Sequence, residues 1–88
     1  MNIAKEKLAF KLLDLKMEKI IYIKLLNEGS VAYRPVPSYE IGNNIFKVNG
    51  LEIYDPEDEE WEFIPGTYVL VESQRKGGEN ILVAIKAI

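Results

Sequence analysis

A mainly β domain, built as a small antiparallel SH3-like barrel or half-barrel of about five to six strands with an N-terminal α-helix, is what this sequence predicts. Three observations carry it. The hydrophobic period changes from 3.6 to 2 at Glu18. Short alternating runs then follow one another at close spacing, parted by Gly, Asn and Pro turn chemistry. Finally, Phe63-Ile64-Pro65-Gly66 sets a tight turn directly after a short aromatic strand, as small barrels do where they turn a corner.

Residues 2–17 read as helix, rich in Ala, Leu, Lys, Glu and Met and free of Gly and Pro. Ala4, Leu8, Leu12 and Leu15 share one stripe, and Phe10, Leu13 and Met17 form a second. Lys7, Lys11, Asp14 and Glu18 make the polar face. A segment apolar over most of its circumference must pack on the domain, on a second copy as a homodimer, or on something else. A membrane surface fits poorly, because Trp is missing and the polar face carries acids. The expected division is residues 1–17 as amphipathic helix and 18–88 as one small β domain. Met17 also suits a natural start, which would make residues 1–16 an upstream extension.

From Glu18, Ile21, Ile23 and Leu25 alternate with Ile20, Tyr22, Lys24 and Leu26, the pattern of a strand with one strongly apolar face. Asn27-Glu28-Gly29-Ser30 supplies a turn. Val31, Tyr33 and Val36 resume extended chain, and Pro35 and Pro37 place that strand at an edge or bend it. Ile41-Gly42-Asn43-Asn44-Ile45 predicts a tight hairpin, with Phe46 and Val48 to one side and Ile45 and Lys47 to the other. A turn at Asn49-Gly50 precedes Leu51, Ile53 and Tyr54. Trp61 and Phe63 share a face, and Pro65-Gly66 fits the centre of a type II turn. The strand from Thr67 to Gln74 sends Val69 and Val71 one way and Tyr68, Leu70 and Glu72 the other. Arg75-Lys76-Gly77-Gly78-Glu79 predicts a second hairpin. The run Ile81-Leu82-Val83-Ala84-Ile85 is apolar without alternation, which implies burial on both faces, with the helix as cover for the second.

Composition narrows the chemistry. The 88 residues contain neither Cys nor His. Disulfides, thiolate metal sites and Cys nucleophiles are therefore excluded, and so are the commonest general base and metal ligand. A net charge of −3 disfavours nucleic acid, whose affinity rests on Lys and Arg at phosphates. Lys5, Lys7 and Lys11 break the first apolar run before it could form a signal-peptide core, and no stretch has the length of a membrane span. The expectation is a cytoplasmic protein without cofactor or metal.

The most distinctive stretch is Tyr54-Asp55-Pro56-Glu57-Asp58-Glu59-Glu60-Trp61-Glu62-Phe63-Ile64-Pro65-Gly66. It holds six carboxylates between Asp55 and Glu62 with no Lys or Arg among them. Together with Leu25-x-x-Glu28-Gly29, Arg34-Pro35-Val36 and a later Val69, it resembles a family of small uncharacterised bacterial proteins with a D-P-E-D-E-x-W-E-F-x-P-G-x-x-V motif. The resemblance covers about residues 17–88. It implies a bacterial, cytoplasmic origin and no established activity.

Each chemical reading of the acidic stretch meets an obstacle. An EF-hand register counted from Asp55 puts Glu60 where Gly is needed and Gly66 where a bidentate Glu is needed. Glycosidase-type catalysis needs two carboxylates held across a cleft, whereas these are consecutive on one loop. The chain is expected to be no enzyme. Two further readings concern Arg34. It either ties its strand to the acidic loop by a salt bridge or forms a contact surface with Tyr33 and Trp61, residue types enriched at binding hot spots. Asp55, Glu57, Asp58, Glu59, Glu60, Arg34, Tyr33 and Trp61 are thus the candidate partner-binding residues. The expected partner is a protein with a basic surface, an inhibitor- or immunity-like pairing being one instance. The alternative is a nucleic-acid-binding barrel using Tyr22, Tyr33 and Phe46.

Overall fold

The computed structural model describes residues 18–88. The expected helix at residues 1–17 lies outside them. Six strands follow in order: β1 (Glu18–Leu26), β2 (Tyr33–Gly42), β3 (Ile45–Val48), β4 (Glu60–Trp61), β5 (Tyr68–Lys76) and β6 (Glu79–Ala87). They form one sheet in the order β2-β3-β5-β6-β1-β4, and β1 pairs with β2 as well. The mainly β expectation therefore holds.

The finer expectation, an antiparallel SH3-like barrel or half-barrel, is corrected. No helix occurs among the described residues, and the strands make a single mixed sheet. Its parallel contact joins Tyr22 of β1 to Val83 of β6. The reason is one of parity. From β1 through β2, β3 and β5 to β6 each step is antiparallel, so four reversals restore the direction of β1 and the contact that returns to it must be parallel. Sequence signals mark hairpins between neighbours; they carry no mark for a pairing between strands sixty residues apart in the chain, which only the count of reversals decides.

Hydrophobic alternation fixes which side of each strand faces the core. Ile21, Ile23 and Leu25 from β1, Val36 from β2, Phe46 and Val48 from β3, Trp61 from β4, Val69 and Val71 from β5 and Ala84 from β6 form one buried cluster. Burying a side chain of this size contributes about 1.5–3 kcal/mol. Ser38, the buried polar side chain, is satisfied: its hydroxyl donates to the Val36 carbonyl at 3.3 Å and accepts from the Asn49 amide at 3.4 Å.

The turn chemistry behaves as the residues dictate. Asn43-Asn44 connects β2 to β3 with Asn44 at φ 61°, and Gly77-Gly78 connects β5 to β6. At Pro65-Gly66 the Thr67 amide donates to the Ile64 carbonyl at 3.1 Å, closing the expected turn. Pro35 and Pro37 are accommodated by position. They lie opposite Tyr22 and Ile20 in an unbroken ladder to β1, which requires their missing N–H groups to face the other way. On that other side β3 pairs only from Ser38 onward, so the prolines sit along an open edge. The apolar end of the chain departs from expectation in part: Val83 and Ala84 are buried, but Ile85 and Ile88 are exposed. No helix among the described residues is long and apolar enough to cross a membrane.

Candidate functional site: the acidic loop and its anchor

The chain between β3 and β4 folds as two consecutive turns held from below by the core. In the first, the Ile53 and Tyr54 amides both donate to the Gly50 carbonyl at 3.0 Å. Gly50 has φ 81°, and a Cβ there would stand 2.7 Å from Val36 Cγ1 and 3.3 Å from Trp61 Cη2, so only glycine fits. In the second, the Asp55 carbonyl accepts from the Asp58 and Glu59 amides, each at 3.0 Å. The Asp55 carboxylate also accepts from the Glu57 amide at 3.0 Å, the hydrogen bond that favours Asp at the start of a turn.

Trp61 anchors this loop. It is 2% exposed, pairs across from Leu25 and meets the Tyr54 ring edge-on at a centroid distance of 4.9 Å. Its indole Nε1–H donates to Glu59 Oε1 at 3.2 Å. The same oxygen accepts from Arg34 Nε at 2.9 Å, and Arg34 Nη2 donates to Glu59 Oε2. This bidentate pairing holds the Glu59 carboxyl below the usual carboxylate range. The Arg34 hydrogen bonds are the main cause, the indole N–H and the guanidinium charge assist, and partial burial opposes them. The Arg34 guanidinium is correspondingly raised, chiefly by its hydrogen bonds to Glu59.

Five of the six carboxylates, those from Asp55 to Glu60, thus divide into different roles. Asp55 is engaged by the loop's own amides, Glu59 by Arg34 and Trp61, and Glu60 accepts from Asn27 Nδ2. Glu57 and Asp58 are exposed and belong to neither ion pair found among the described residues, Lys19–Glu40 and Arg34–Glu59, although the Asp58 charge helps to raise the Arg34 guanidinium. On the same loop, Leu51 is 73% and Ile53 50% exposed. Among the described residues, no three acidic side chains converge so as to hold a metal ion.

Of the eight candidates, Arg34, Glu59 and Trp61 meet in one hydrogen-bonded cluster, as the salt-bridge reading of Arg34 anticipated. The contact surface of Tyr33, Arg34 and Trp61 does not form, because Trp61 is buried and Tyr33 lies half-buried beneath Lys76, whose Nζ is 5.4 Å from the ring centre. Phe46, proposed as a base-stacking platform, is a core residue at 1% exposure. Sequence reasoning missed Leu51 and Ile53, which it placed after the Asn49-Gly50 turn without a role, because no charge or motif marks them. No protein-family model, curated protein or solved structure matches the chain.

Proposed function

We propose that this chain is a non-enzymatic interaction or regulatory module, and that the loop at residues 51–58 docks a partner protein with a basic surface. The observation that carries the proposal is the pairing of exposed Leu51 and Ile53 with the unpaired carboxylates of Glu57 and Asp58 on a loop pinned at Gly50, Tyr54 and Trp61. An apolar tip supplies desolvation energy, adjoining charge supplies orientation and a faster encounter, and a rigid support lowers the ordering cost of binding. Catalysis draws no support from this surface, since its carboxylates follow one another on one exposed loop, whereas acid–base work needs two held across a cleft. Nucleic acid is disfavoured by the negative charge of the loop and by the burial of Phe46.

The test is affinity capture with wild-type chain and with two variants, Leu51→Ser and the double variant Glu57→Gln/Asp58→Asn, each verified as folded by circular dichroism. Loss of the same captured protein from both variants supports docking through this loop. Capture unaffected by either variant rules it out.

A further inference from the structure

The geometry points to a docking surface on the outer face of β2, β3, β5 and β6, centred on Lys47 and Lys86, for the acidic loop of a second copy of this chain, an inference that rests on the loop reading above. Register places the face. Tyr39 pairs with Lys47 and Lys47 with Tyr68, so the three side chains stand in one row across three strands. That row points away from the core, because Ser38, Phe46, Val48 and Val69, their neighbours along the same strands, are buried on the other side. Further along the strands, Ile45 pairs with Leu70 and Leu70 with Lys86, a second outward row. The Ile88 amide donates to the Tyr68 carbonyl at 2.9 Å, and strand alternation sets this exposed isoleucine on the same side as Lys86. Tyrosine, aliphatic and lysine side chains therefore share one patch.

Charge selects the occupant. Lys47 lies over the Tyr68 ring, 5.7 Å from its centre, and Lys86 is exposed; neither belongs to an ion pair among the described residues. The acids next along these strands are already engaged, since Glu40 pairs with Lys19 and Glu72 accepts from Gln74 Nε2 at 3.3 Å. The patch is thus basic and apolar. The loop carries the complement, Glu57 and Asp58 with exposed Leu51 and Ile53, and no ion pair joins it to Lys47 or Lys86 within one chain. Contact between them falls between copies. Loop and face are different patches, so the interface is heterologous and copies add head to tail, not as a twofold dimer.

The test is sedimentation equilibrium of the full chain at low salt over a range of concentrations, with folding of each variant verified by circular dichroism. Wild type should associate beyond a dimer as concentration rises. The face variant Lys47→Gln/Lys86→Gln and the loop variant Glu57→Gln/Asp58→Asn should each self-associate about tenfold more weakly. Mixed in equal amounts they should restore wild-type affinity in a complex that stops at one copy of each, because one intact loop and one intact face remain. The inference is overturned if wild type stays monomeric, if either variant associates as wild type does, or if the mixture restores nothing. Single-stranded RNA that binds a monomeric wild type but not the face variant would likewise overturn it, by giving the face to nucleic acid. A monomeric wild type leaves the loop reading standing, since that reading fails only if a captured partner is indifferent to the loop variants.

Discussion

Arg34 and Glu59 form a bidentate ion pair across twenty-five positions of sequence, and the carboxylate they share with Trp61 joins β2 to the loop that precedes β4. Glu59→Gln keeps the shape but removes the charge. Half exposure on the Arg34 side limits the cost, so a loss of about 1 kcal/mol is expected by urea denaturation. Glu57→Gln, on the same loop without a partner, should change stability by no more than about 0.5 kcal/mol.

The lowered Glu59 carboxyl makes a pH prediction whose sign is fixed. A group whose folded-state pKa lies below its unfolded value stabilises the fold above the unfolded pKa and loses that contribution as pH falls through the folded one. Wild-type stability should therefore fall from about pH 5 downward, around and below the ordinary Glu value. Glu59→Gln should show a shallower decline over that interval in denaturation curves taken at successive pH values. The raised Arg34 group stays charged over the whole range and adds no slope.

Gly50 tests the wedge between loop and core. Gly50→Ala sets a Cβ against Val36 and Trp61 at a positive φ, and should cost about 2–3 kcal/mol. Gly29→Ala, with nothing within 4 Å of the added carbon, should lie within about 0.5 kcal/mol of wild type. Thermal melts of the two variants check this contrast.

Much of the local architecture was legible because it depends on neighbours in sequence. Asn43-Asn44 and Gly77-Gly78 mark their hairpins, Pro65-Gly66 marks its turn, and the alternation of Ile21, Ile23 and Leu25 marks the inner face of β1. What was not legible depends on distant parts of the chain. The parallel meeting of Tyr22 with Val83 follows from the number of strands between them, and no residue type announces it. β4 has only two residues, too few for a period to show. Within the acidic run, Glu59 and Glu60 look identical, yet one faces Arg34 and Trp61 while the other faces Asn27. Their separation is set by partners distant in sequence, which neither residue type announces.

Trp61 is the sole tryptophan and sits at the junction of core and loop. Trp61→Phe keeps most of the apolar volume but removes the indole donor to Glu59 and part of the contact with Tyr54, for an expected loss of about 1–2 kcal/mol. In wild type, the red shift of its emission and the loss of β-sheet circular dichroism should follow one denaturation curve, because the same residue packs in the inner cluster.

The central claim, that exposed carboxylates on a rigid loop meet a basic partner, is tested most directly by the association rate of the captured protein at increasing salt. For wild type the rate should fall by about tenfold or more from low to physiological ionic strength, and Glu57→Gln/Asp58→Asn should start lower and fall much less, with dissociation little changed. Identical on-rates and identical salt dependence for the two chains would contradict it.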